Sequence, residues 1–275
     1  MELKWPASIP ERHRTFLISA IEQMQGDSRI VGIAARGSFL TDSMDEFSDI
    51  DLVIPFESEH KESVMRDRHR IAESLCSLLV DFTGEHVHEP RLVICLYDGT
   101  PILHVDLKFV ALSDVSNRVE DPCILWERDA RFTNALKKGI AEYPTPNLQW
   151  IEDRFWTWIH YAAAKIGRGE LFEALDGLSF IRSTVLGPLI FLKSGARPSG
   201  LRRIEQLAPE YSLDLQATIA RYDALDCLRS LRTSANIYRT LRGNTPDVNY
   251  HHAAEEAAMH YLLELEQRCT SFRNF

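Results

Sequence analysis

Between positions 37 and 51 the chain reads Gly-Ser-Phe-Leu-Thr-Asp-Ser-Met-Asp-Glu-Phe-Ser-Asp-Ile-Asp. Asp49 and Asp51 stand at the start of the apolar run Leu52-Val53-Ile54, which reads as a strand. Side chains alternate along a strand, so the two carboxylates share one face and Ile50 points to the other. Two carboxylates on one face suit Mg²⁺, a hard cation that takes few protein oxygens and shares its remaining positions with water and phosphate. Gly37 lets backbone approach a phosphate closely, and Ser38 can donate to a phosphate oxygen. Together they describe a site for a metal-bound nucleoside triphosphate. Either half alone is weak evidence: Asp-x-Asp is usually a solvated strand edge, and Gly-Ser is usually a loop.

The elements needed to hold these groups are legible. Arg29-Ile30-Val31-Gly32-Ile33-Ala34-Ala35 reads as a buried strand running into the Gly-Ser turn. Residues 101–110, Pro-Ile-Leu-His-Val-Asp-Leu-Lys-Phe-Val, alternate as a half-buried strand should. His104, Asp106 and Lys108 share one face of it, and Leu103, Val105, Leu107 and Phe109 the other. Asp98-Gly99-Thr100-Pro101 is a turn joining it to a strand over 91–97. A carboxylate within such a strand is costly unless it binds something, which makes Asp106 a third candidate acid. Lys108 is a candidate phosphate-binding cation, with a structural salt bridge as the equal alternative.

Gly-Ser, a short spacer, Asp-x-Asp and a third acid on a later strand resemble the nucleotidyltransferase superfamily typified by DNA polymerase β. The resemblance narrows toward aminoglycoside 6-adenylyltransferases. His104-Val105-Asp106-Leu107-Lys108-Phe109 is similar to their Arg-Ile-Asp-Leu-Thr-Leu strand. Cys123-Ile124-Leu125-Trp126-Glu127-Arg128-Asp129 is similar to a downstream segment, and Phe155-Trp156-Thr157-Trp158 with Tyr161, Lys165 and Arg168 to the first helices of their second domain. Many relatives carry Ala-Arg-Gly after Gly-Ser-Phe, where this chain has Leu40-Thr41-Asp42. The resemblance implies an antibiotic-resistance type of enzyme that moves AMP from ATP, with Mg²⁺, to a hydroxyl of a small acceptor such as an aminoglycoside. Asp49 and Asp51 would then hold the metal. Asp106 would be metal ligand, general base or both, and Gly37, Ser38 and Lys108 would hold the nucleotide. The alternatives are the same chemistry on a lincosamide or a protein side chain, and a non-catalytic, antitoxin-like binding module.

Composition agrees with a folded enzyme: at 45% apolar and 26% charged residues, the 275-residue chain is of ordinary globular type. A net charge of −9 argues against general nucleic-acid binding. No apolar run suggests a membrane span, and the N-terminus lacks a signal-peptide core. Five scattered cysteines, at 76, 95, 123, 227 and 269, fit a reducing cytoplasm better than disulfides or zinc. The oligomeric state has no signature.

The expected architecture is an α+β nucleotidyltransferase domain with a mixed β-sheet over 1–146, then an all-α helical bundle over 147–275 that binds substrate. Pro10–Gln25 reads as a helix with Phe16, Ile18, Ile21 and Met24 inward, and Lys61–Leu79 as another. Tyr143-Pro144-Thr145-Pro146-Asn147 is the expected linker. Helices are expected over Leu148–Arg168, Leu171–Ser194, Leu213–Arg242 and Tyr250–Arg273. Arg229, Arg232 and Arg239 read as a solvated helix face, the histidines at 86, 88, 251 and 252 as surface residues, and Trp156 and Trp158 as helix core.

Overall fold

The computed structural model describes residues 5–272. The chain divides into two compact units, Met1–Tyr143 and Pro144–Phe275.

The first unit is built on a six-stranded mixed sheet. Its strands are β1 (Gly32–Ala35), β2 (Ile50–Phe56), β3 (Leu78–Gly84), β4 (Glu89–Tyr97), β5 (Leu103–Ala111) and β6 (Cys123–Glu127), in the order β3-β4-β5-β2-β1-β6. Only β2 and β5 run parallel; the other neighbours are antiparallel. Alternation along the central strands separates two faces. One packs on helices α1 (Glu11–Gly26) and α2 (Lys61–Glu73): Leu17, Met24 and Val64 meet Ile33, Leu52, Leu107 and Phe109 in one cluster of fully or nearly fully buried residues. Each such side chain contributes about 1.5–3 kcal/mol by leaving water. The other face carries a smaller cluster of Ala34, Val53, Val110 and Val115 beneath Phe132 and Ala135 of α3 (Arg131–Leu136). The rest of that face carries His104, Asp106 and Lys108 of β5 beside Leu96, Ile94 and Leu92 of β4, their register partners.

Three local expectations are corrected here. Helix α2 ends at Glu73 rather than Leu79. The run Leu78-Leu79-Val80 opens β3, because pairing of Leu78 with Tyr97 and of Phe82 with Ile94 recruits it into the sheet. The inward stripe of α1 is His13, Phe16, Leu17, Ala20 and Met24, while Ile18 is 43% exposed. Strand β6 and helix α3 gave no periodic signal of their own.

The second unit is all-helical, with α4 (Leu148–Gly167), α5 (Leu171–Ile181), α6 (Gly187–Lys193), α7 (Ile204–Leu207), α8 (Ser212–Gln216), α9 (Ala224–Arg242) and α10 (His252–Phe272). Asn147 caps α4 by accepting from the Trp150 N–H at 2.9 Å. A π-turn over Arg182–Leu186 joins α5 to α6, so the expected helix over Leu171–Ser194 contains an irregular turn. The expected helix over Leu213–Arg242 is two helices: Asp223 caps α9 by accepting from the Asp226 N–H at 2.9 Å. Of the last expected helix, Arg273 lies outside the described residues. Leu171–Lys193 is, contrary to expectation, long and apolar enough to cross a membrane by length and composition. Half of its apolar window is buried within this unit, where Leu178, Ile181, Val185, Leu186 and Phe191 belong to the helical core.

One end of the bundle is fastened by a buried carboxylate. Glu152 of α4 accepts from Tyr238 Oη (2.6 Å), Trp156 Nε1 (3.1 Å), Arg242 Nη1 (3.0 Å) and the His251 backbone N–H (3.1 Å). Burial pushes this carboxyl up, but the donors of Tyr238, His251, Trp156 and Arg242 outweigh it and hold the pKa below the ordinary range.

Candidate active site

The parallel register of β2 and β5 sets Asp51 directly opposite Asp106 on the face of the sheet turned away from α1 and α2. Adjacent strands lie about 4.8 Å apart, so two like charges meet across the ladder, an arrangement that is unfavourable without a cation. Asp49 is the second residue upstream of Asp51, at the end of the loop that enters β2. Gly37 follows β1 with φ +62, and a Cβ placed there would lie 2.4 Å from Asp51 Oδ2. The position is therefore closed to side chains twice over, by conformation and by space. The Arg36 N–H donates to the Asp51 carbonyl at 2.9 Å, which fastens the Gly-Ser turn to the acid-bearing strand. Ser38 sits in the tight turn Gly37–Phe39, its carbonyl accepting from the Ser43 N–H at 3.2 Å.

Several supporting contacts were not legible beforehand. His104 Nε2 lies 3.1 Å from Asp106 Oδ1 and orients that carboxylate; the i, i+2 spacing was the available signal. The loop bearing Asp49 is tied down by the N-terminal segment. Ser8 donates its N–H to Asp42 and accepts from the Met44 N–H, and His13, 1% exposed, holds the Ser48 carbonyl through Nε2 at 2.8 Å. No periodicity announces bonds between residues 34 to 36 positions apart.

Lys108 Nζ is 2.7 Å from Glu89 Oε2, and Arg91 shares the same carboxylate at 2.6 Å. The Arg91 bonds, opposed by burial and helped by Lys108, pull the Glu89 pKa down to about 2. In the helical unit Arg232 pairs with Glu266 and Arg239 with Glu255. Trp156 is core at 2% exposed, and Trp158 packs against that core partly buried. His251 pairs with Asp153 at 3.0 Å. All five cysteines are free thiols.

Among the described residues no group of three His, Cys, Asp or Glu side chains forms a ready metal cage. The fold supplies a carboxylate pair beside a glycine cradle. That donor set fits Mg²⁺, which binds through one or two carboxylates and completes its shell with water and substrate phosphates.

Residues 17–101 match the family model described as nucleotidyltransferase domain. The span takes in α1, the Gly-Ser turn and the Asp-x-Asp strand. No curated protein sequence matches the chain. Solved structures similar to it include these two. An aminoglycoside 6-adenyltransferase from Bacillus subtilis is 14% identical, with a TM-score of 0.38 over 90% of this chain and 96% of that one. A nucleotidyltransferase-like protein from Exiguobacterium sibiricum is 15% identical, with a TM-score of 0.38 over 94% and 88%.

Proposed function

We propose that the chain transfers a nucleoside monophosphate, AMP from Mg–ATP, to a hydroxyl of a small molecule. The observation that carries this reading is the register pairing of Asp51 with Asp106 beside a glycine whose Cβ would collide with Asp51. Asp49 and Asp51 are the residues that would hold the metal, with Asp106 beside them. When bound, Mg²⁺ supplies charge neutralisation to the phosphate oxygens in an in-line displacement. Gly37 and Ser38 hold phosphate oxygens through backbone and hydroxyl donors. His104, 3.1 Å from Asp106 Oδ1, orients the carboxylate that is assigned the acceptor's proton; such base assistance contributes typically ~10²–10⁴-fold. Part of substrate binding is assigned to the helical half, 147–275. Aminoglycosides are the acceptor class that the resemblance implies, and the wall chemistry described below favours another.

The test needs no acceptor. Mg-dependent ATP binding is titrated by calorimetry for the wild type, Asp51→Asn and Asp106→Asn. Asp51→Asn should lose the Mg-dependent part of the affinity with an unchanged melting temperature or a higher one, since close acids repel when no cation is present. Asp106→Asn should keep Mg-dependent nucleotide binding. Mg–ATP affinity equal to wild type in Asp51→Asn would sink the assignment.

A further inference from the structure

A cavity of about 200 Å³ opens on the acid-bearing face of the sheet, within the first unit. Val53 and Lys108 line it, and they are register partners one step along the strands from Asp51 and Asp106. Two residues of strand cover about 7 Å, so the cavity begins beside the acid pair. Its apolar floor includes Val110 and Phe132, at 5% and 0% exposed. Its roof is the segment after β5, clamped by Arg118, which donates to the carbonyls of Ser116, Leu136 and Gly139.

The charged side chains that line the cavity are Arg36, Arg91, Lys108 and Arg118, against Glu120 alone. Guanidinium and ammonium groups are donors only. Their balancing carboxylates are Glu120 on Arg36, Glu89 on Arg91 and Lys108, and Asp121 on Arg118; Glu89 and Asp121 are not part of the lining. The wall is therefore rich in donors without a large uncompensated charge. It complements a ring with an apolar face and an oxygen-rich edge. A polycation would bring more donors to a donor wall, whatever the chain's net −9 suggests at long range.

Resting on the reading of Asp51 and Asp106 as the transfer site, we propose that this cavity seats the acceptor, and that the acceptor is an uncharged or singly anionic, oxygen-rich ring compound rather than a polyamine sugar. Its hydroxyl oxygen bonds to the α-phosphorus of the nucleoside triphosphate. The bond from that phosphorus to the bridging oxygen breaks, its electron pair leaves on pyrophosphate, and the hydroxyl proton passes to Asp106.

The experiment uses the full chain with Mg²⁺ and a non-hydrolysable ATP analogue. Binding of 4-hydroxybenzoate, quinate and uridine is compared with binding of streptomycin and kanamycin by ligand-observed NMR. Each is repeated on Val110→Phe, which fills the floor, and on Val115→Phe, which fills the roof, so that one folded variant suffices. At least one oxygen-rich probe should bind the wild type and weaken roughly tenfold or more in the filled variants, as overpacking a cavity implies. Mg–ATP affinity should be unchanged by the filling. Streptomycin or kanamycin binding that the filled variants abolish would overturn the proposal, as would the absence of cavity-dependent binding by every oxygen-rich probe. Failure of the wild type to bind Mg–ATP is read separately and brings down the transfer assignment itself.

Discussion

Gly37→Ala is the sharpest single perturbation of the site. The added methyl would sit 2.4 Å from Asp51 Oδ2, whereas ordinary contact begins at 3.4 Å. Either the carboxylate or the turn must retreat by about 1 Å, and a misplacement of ~1 Å at reacting groups costs on the order of 10²-fold in rate. The turn cannot retreat freely, because Arg36 N–H is bonded to the Asp51 carbonyl. The left-handed φ of +62 adds a backbone penalty of roughly 1–2 kcal/mol. For a domain of this size that lowers the melting temperature by about 3–8 °C. The variant should thus remain folded at 25 °C, bind Mg–ATP several-fold more weakly and transfer nucleotide about 100-fold more slowly. Calorimetric titration with Mg–ATP, single-turnover release of labelled pyrophosphate and a thermal melt measure the three effects. Transfer within about threefold of wild type, with the melt depressed as expected, would refute the claim that this glycine positions the metal-binding carboxylate.

His13→Phe removes the buried donor to the Ser48 carbonyl and should weaken Mg–ATP binding about tenfold, with a stability loss of roughly 1–3 kcal/mol. His13→Gln, which places a donor near Nε2, should restore most of the affinity; equal behaviour of the two variants would show that His13 only fills space. Glu152→Ala leaves Arg242, Tyr238 and Trp156 without their shared acceptor and should cost about 3–5 kcal/mol, read as a drop in urea midpoint at constant slope. Glu89→Gln tests linkage. The wild-type carboxyl, ordinarily near 4.5, is depressed to about 2 in the fold, so its stabilisation is present above pH 4.5 and lost as pH falls toward 2. Discounted for partial exposure, the variant should be about 1–2 kcal/mol less stable at pH 7. Urea melts at pH 7 and 3.5 should show the gap closing; a gap independent of pH would mean packing, not charge, is what the substitution removes.

The chemistry-bearing residues were legible because they obey short-range rules. Strand alternation alone places His104, Asp106 and Lys108 on one face, and a Gly-Ser turn before Asp-x-Asp needs only local geometry. The mixed sheet and the helical second half followed from periodicity, which failed where period and propensity conflict. Leu78-Leu79-Val80 continues an apolar helical pattern, yet the open edge of β4 turned it into a strand. Asp223 ended a helix that the pattern carried through, because a cap acts at one residue and leaves no period.

Register was beyond sequence. Nothing in residues 49–51 and 106 states that Asp51 stands opposite Asp106 rather than Lys108, since a shift of two residues preserves every face. The fit of β2 and β5 side chains into the core beneath α1 and α2 selects it. The same holds for Gly37 against Asp51, for His13 beneath Ser48 and for the donor-lined cavity around Lys108. The sequence by itself determined which groups are present and which way each faces along its own strand, because those depend on covalent geometry and local backbone conformation. Which of them meet was decided only by the tertiary structure, because side chains from distant segments come together only when the burial of a common core brings their strands and helices into one register.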